Sequence, residues 1–247
     1  MPQFVPLRRS HHAECSWSRS SGYGFVAREM LAPILSLELP QAVLHLPLAF
    51  VPVESGFQLV AVLALRESEN LFVVADGSWL AGAHVPAAFR AYPFALSQLP
   101  EADQALLSVD EGSPLIHGDD GGEPFFDAEG QLAPAVADIL KFLEACERSR
   151  RATQRAVQAL DAAGVIVPWP INLRSGEKQG AMQGLFRIDE NLLNGLSPEA
   201  FESLRQAGAL PLAYCQLLSA QHLERLGQLA SARAGQPEPA PLSTSKA

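Results

Sequence analysis

The stretch from 30 to 51, MLAPILSLELPQAVLHLPLAFV, is long and apolar enough to suggest a membrane span, and three prolines decide against it. Pro33, Pro40 and Pro47 recur every seventh residue. Each lacks an amide hydrogen and clashes with the helical turn before it, so no single helix runs through all three. Glu38 and His45 would also be costly in hydrocarbon. The stretch therefore divides into an extended segment over 33–37, a helical turn over 38–44 and a buried strand over 46–51. A second apolar run, FQLVAVLAL over 57–65, is bounded by Gly56 and the charged cluster 66–69, which marks a buried strand.

Further extended segments are expected at 23–27, 70–74, 94–96, 105–109, 165–173, 185–189 and 210–218. Asp76-Gly77, between 70–74 and a return strand at Trp79, is a hairpin-turn signal because both positions tolerate positive φ. A short helix is expected over 85–90, and a long one over 134–163. In the long helix Val136, Ile139, Leu140, Leu143, Val157 and Leu160 share one face, and Gly164 stops it. Ser197-Pro198 opens a helix that ends at Gly208, a capping hydroxyl followed by proline at the first helical position. Ser219 is expected to cap a last helix carrying Leu223, Leu226 and Leu229. The order implies α+β, with an antiparallel or mixed β-sheet in the N-terminal half, helices packed on it, and a mixed α/β C-terminal part. Residues 1–22 read as an extended arm, 23–233 as one domain and 234–247 as a disordered tail.

An apolar fraction of 48% and a charged fraction of 18% supply a substantial core. The net charge of −9 argues against nonspecific nucleic-acid binding, which needs cationic surface to displace counterions from phosphates. Cys15, Cys146 and Cys215 are odd in number and widely spaced, so they read as reduced thiols in a reducing compartment. No apolar stretch follows Arg8 and Arg9 as a secretory leader requires. A cytoplasmic location without membrane insertion is the resulting expectation.

The most distinctive segment is 70–94, NLFVVADGSWLAGAHVPAAFRAYPF. With Asn70, Leu71, Phe72, Asp76, Gly77, Trp79, Pro86, Ala87, Arg90, Tyr92, Pro93 and Phe94 in place, it resembles the signature of the SapC family. Tyr23-Gly24-Phe25 with Ala27, Glu38 before Leu46-Pro47, Val109-Asp110, the turn at 127–130 and residues 184–190 also match, so the resemblance extends to about Arg233. His84 departs from it, standing where tyrosine is more typical. The resemblance implies a family named from a surface-layer gene setting. Its members accompany genes for flavin-dependent halogenase-like proteins, cupin-type oxygenases and outer-membrane receptors. It therefore implies an accessory or binding role with a protein partner, a nearby-encoded modifying enzyme being one candidate. A surface-layer biogenesis or secretion factor is a further alternative, and the oligomeric state stays open.

Asp76, Trp79, Arg90, Tyr92 and Phe94 form the candidate binding site, since an acid, an arginine and aromatics near a hairpin suit a polar ligand or a peptide. The alternative reading of the same residues is structural: Asp76 caps the turn, Trp79 covers the sheet, and Arg90 pairs with Asp76 or a carbonyl. An enzyme centred on Asp76, Trp79 and Arg90 is the competing functional reading. No GxSxG elbow and neither phosphate-loop motif occurs, which leaves nucleophilic and nucleotide chemistry without a signal. His117-Gly118-Asp119 has the spacing of a non-haem iron site, with His222 as distal ligand and Arg225 or Arg233 for a cosubstrate carboxylate. The loop is acidic and glycine-rich, however, and a solvated turn is the simpler reading. His11 and His12 with Cys15 could bind metal, but an arm lacks a rigid supporting shell, so solvated histidines are expected. Neither a cofactor nor a metal is therefore assigned.

Overall fold

The computed structural model describes residues 3–20, 22–98, 105–118, 121–175 and 178–234. Its central sheet combines β3 (Leu31–Pro33), β4 (Leu48–Val53), β5 (Gly56–Val62), β10 (Ile166–Pro168) and β13 (Phe186–Ile188). The order is β10-β13-β4-β5-β3, and every pair is antiparallel. β4 and β5 form a tight hairpin in register from Leu48↔Ala61 to Val53↔Gly56. Gly56 there takes a φ of +113°, which a side chain would strain. Leu59, Val60, Ala61 and Val62 are buried in succession, so both faces of β5 are covered, as its unbroken apolar run requires.

A second sheet, in the order β1-β7-β6, joins β1 (Phe4–Pro6), β6 (Phe94–Gln98) and β7 (Ala105–Asp110). Beside it, β2 (Ser16–Trp17) lies between β8 (Ile116–His117) and β9 (Glu123–Pro124). β11 (Ile171–Ser175) and β12 (Lys178–Met182) form a separate two-stranded ribbon. The segment read as an arm is laid into these sheets through β1, α1 (Arg9–His12) and β2, with His12 and Trp17 buried. The remaining helices are α2 (Leu39–Ala42), α3 (Ala87–Arg90), α4 (Pro134–Ala162), α5 (Glu190–Asn194), α6 (Pro198–Gln206), α7 (Ala209–Ser219) and α8 (His222–Ala234). None of the described helices is long and apolar enough to cross a membrane. The α+β class holds.

Two apolar clusters form, and α4 spans both. Its N-terminal part, through Val136, joins Trp17, Phe94, Val109 and Phe125. Its C-terminal part, through Ala156, Val157 and Leu160, joins Phe50, Leu63 and Ile188. Between them α4 buries Ser149 and Thr153, which serve a 3₁₀ turn at Ser36–Glu38. Ser36 N–H donates to Thr153 Oγ1 at 2.8 Å and Leu37 N–H to Ser149 Oγ at 3.1 Å, so hydroxyls of α4 satisfy backbone donors that this turn cannot pair itself.

Three expected strands are corrected. Residues 210–218 belong to helix α7, because Gln216 and Ser219, three apart, share the face turned to the sheet edge. Gln216 accepts from Ile188 N–H at 2.8 Å and donates to the Leu48 carbonyl at 3.1 Å, bridging β13 and β4 where their pairing stops. Ser219 accepts from Leu48 N–H at 3.0 Å instead of capping α8. Residues 23–27 form a 3₁₀ turn, with Tyr23 N–H donating to the Gly77 carbonyl. Residues 70–74 form turns, with only an isolated bridge between Val73 and Trp79, because the Asn70 side chain takes the Phe72 N–H at 2.9 Å. Residues 235–247, expected to be a tail, lie outside the described residues.

Candidate functional site

A cleft of about 470 Å³ opens where the middle of α4 passes between the two apolar clusters. That volume falls within the range of roughly 300–1,000 Å³ typical of ligand pockets. One wall is α3 with the residue after it, which show the cleft the small side chains Ala87, Ala88 and Ala91. Opposite stand Leu143, Cys146, Glu147 and Arg150 of α4, and Ile34, Phe57 and Leu59 contribute from the sheet side.

A buried acid places α3. Glu38, with its side chain 1% exposed, accepts from the Ala87 N–H at 3.1 Å and pairs with His84 Nε2 at 3.0 Å. α3 has no capping side chain of its own, so Glu38 supplies from a distant segment the acceptor that its first turn lacks. His84 in turn accepts from Trp79 Nε1–H through its carbonyl at 3.1 Å. The sequence signal was present: a lone acid inside an apolar, proline-broken stretch needs a buried partner. Only the fold shows that the partner is the start of α3.

At the cleft mouth Glu147 is gripped by Arg150 through two bonds of 2.7 and 2.8 Å and by Arg151 at 3.0 Å. The Arg150 hydrogen bonds, with Arg151 assisting, bring its carboxyl from the usual 4.5 down to about 2. A folded-state value below the unfolded one gives stability that is present above pH 4.5 and lost as the pH falls towards 2. Because both arginines are more than half exposed, solvent screening reduces the contribution to about 1 kcal/mol or less. Glu147→Gln is expected to flatten this acid limb in urea titrations run between pH 2 and 5, and an unchanged limb would remove Glu147 as its source. Cys146 is pushed up chiefly by burial and secondarily by Glu38, with Arg90 opposing, so it is a neutral thiol at physiological pH.

The five sequence candidates are placed around this region rather than in one pocket. Asp76 is exposed and accepts from Ser78 N–H at 2.9 Å, a bond that holds its carboxyl below the usual range. Trp79 is 9% exposed and lies in the main core, stacked on Phe72. Arg90 is exposed, and its guanidinium lies over the Phe142 ring at 4.8 Å. Among the described residues no ion pair joins Arg90 to Asp76. Tyr92 stacks on Phe25 at 4.1 Å and donates its hydroxyl to Asp110 at 3.1 Å; burial raises its pKa. Phe94 is buried in the second core but lines the inner end of the cleft.

The other candidates are engaged separately. His117 Nε2 bonds Ser18 Oγ at 2.8 Å, and His222 Nε2 bonds the Val43 carbonyl at 2.8 Å. Asp119 lies outside the described residues. Arg233 donates to the carbonyls of Asn70 and Val73, at 2.9 and 2.6 Å, and so pins the distinctive segment rather than facing a cosubstrate.

The fold and cleft define an α+β protein of antiparallel sheets with an open apolar cleft beneath a helix shared by two cores. Within that class the chain belongs to the SapC family, which it matches over residues 7–226. No curated protein and no solved structure matches the chain.

Proposed function

We propose that the protein is a noncatalytic accessory protein whose α3–α4 cleft takes an apolar segment of a partner polypeptide. The observation that carries this reading is the cleft itself: small alanines on one wall, Leu143 and Cys146 opposite, Ile34, Phe57 and Leu59 from the sheet side, and a fixed Glu147–Arg150 pair at the mouth. Apolar walls supply the binding energy, and the charged pair gives the cleft a polar rim. Val53, which lines the cleft and is 40% exposed, suits an extended segment reaching the surface better than an enclosed small molecule. Of the cleft's reactive groups, the thiol is held protonated and the carboxylate is occupied by two arginines, which favours binding over chemistry. The family setting points to a modifying enzyme encoded nearby as the partner. An enzyme centred on Asp76, Trp79 and Arg90 has less support, since Trp79 packs in the core and Arg90 rests on Phe142.

Ala88 is exposed on α3 and lines the cleft, so Ala88→Trp fills the mouth without disturbing the core. Cross-linking in the native host, followed by mass spectrometry, should yield a stoichiometric partner joined near the cleft for the wild type and none for Ala88→Trp, with equal melting midpoints. Equal capture by both proteins, or recovery of the wild type alone, would refute the proposal.

A further inference from the structure

A second concentration of chemistry lies away from the cleft, where α1 meets the chain just beyond β7. His11 Nε2 stands 3.1 Å from Glu111 Oε1, and His12 Nε2 stands 3.2 Å from the same oxygen. The three ligand atoms lie within 4.8 Å of one another. The sequence grouped these histidines with Cys15 as a solvated set, but the fold replaces that thiol with a carboxylate about a hundred residues away. Cys15 turns to the His11 carbonyl instead.

His12 is not solvated. It is 2% exposed, and its ring meets Phe125 edge-on at 5.8 Å. Its Nδ1 lies 3.0 Å from the Arg8 carbonyl oxygen. A proton on Nδ1 donated to that carbonyl leaves the lone pair on Nε2, the arrangement that orients a metal-binding imidazole. Nε2 is buried and makes no hydrogen bond, because Glu111 Oε1 is near but out of line for one. The other tautomer, with Arg8 N–H donating to Nδ1 at 3.1 Å, would strand a buried N–H in the same place. In either form this nitrogen lacks the partner that a buried polar atom requires.

A metal ion supplies that partner. Nitrogen and oxygen ligands about 2.0–2.2 Å from one ion lie roughly 3.0–3.5 Å from each other, and the separations of His11 Nε2 and His12 Nε2 from Glu111 Oε1 fall in that interval. Two imidazoles and a carboxylate suit first-row divalent ions rather than calcium or magnesium. We propose that His11, His12 and Glu111 bind one zinc-class divalent ion, with an open coordination position on the solvent side. His11, with its side chain 70% exposed, provides the entry path. The ion clips the N-terminal segment to the end of β7, next to Asp110. Asp110 already accepts from Gln3 N–H at 2.8 Å and so marks the same junction.

The test uses the full chain, untagged and stripped with chelator, titrated with Zn²⁺ by calorimetry and with Co²⁺ by visible absorption. The expected result is one ion per chain, a Co²⁺ spectrum of nitrogen–oxygen coordination, and a melting midpoint raised by Zn²⁺. His11→Ala and Glu111→Gln should each weaken binding at least tenfold and abolish the rise in midpoint. Both residues are solvent-accessible, so the metal-free variants should melt as the metal-free wild type does. Absence of saturable one-to-one binding, or wild-type affinity in the two variants, would overturn the proposal. Neither outcome bears on the cleft.

Discussion

Glu38→Ala is expected to lower the unfolding free energy by about 2–5 kcal/mol, since two largely buried groups lose their acceptor at about 1–3 kcal/mol each. The Glu38 side chain is 1% exposed and that of His84 11%, so water replaces neither partner readily. Deleting the carboxylate strands the Ala87 N–H and His84 Nε2 together. It also frees the start of α3, and with it one wall of the cleft. Glu38→Gln keeps one acceptor and should cost about half as much. Urea denaturation measures both: the midpoint should fall with an unchanged slope, since compactness is unaffected. A loss below about 1 kcal/mol for the alanine variant would show that α3 holds its place without Glu38.

Trp79→Ala is expected to cost a further large amount, about 3–5 kcal/mol, from lost burial plus the cavity left behind. Trp79 stacks on Phe72 at 5.6 Å and meets Tyr23 edge-on at 5.4 Å, so a void there opens among rings that cannot close over it. The indole N–H to the His84 carbonyl is lost as well, which links this site to the Glu38 network. Arg90→Ala is the control. Its contact over Phe142 is exposed and worth about 1 kcal/mol or less. Thermal melts of the two variants should therefore differ widely. Loss of partner binding in Arg90→Ala at an unchanged midpoint would assign the distinctive segment a binding role beyond the architectural one seen for Trp79.

Much of the local structure was legible in the residues. The prolines at 33, 40 and 47 do keep the apolar stretch from forming one helix, and it divides into β3, α2 and β4; the extended segment expected over 33–37, however, shares only Pro33 with β3 and gives way to the 3₁₀ turn at Ser36–Glu38. α4 runs over Pro134–Ala162, close to the limits set by its apolar face and Gly164. Ser197 caps α6 by accepting the Ala200 N–H. The longest of the misread segments shows why. The run over 210–218 is apolar without a period, and an apolar run of that length fits a buried strand or a buried helix equally. What decided for α7 was Gln216 and Ser219 reaching Leu48, 168 and 171 residues away in the chain.

The candidate site divides in the same way. Family membership, the α+β class and the turn at Asp76-Gly77 follow from the residues alone, because each is written in patterns a few residues long. The Glu38–Ala87 bond, the cleft between two cores, and the meeting of His11 and His12 with Glu111 were decided by tertiary structure. Their members are separated by about fifty to a hundred positions, and side chains that far apart carry no local preference for one another. They come together only because burying the apolar faces of α4, β5 and β7 brings their neighbours with them.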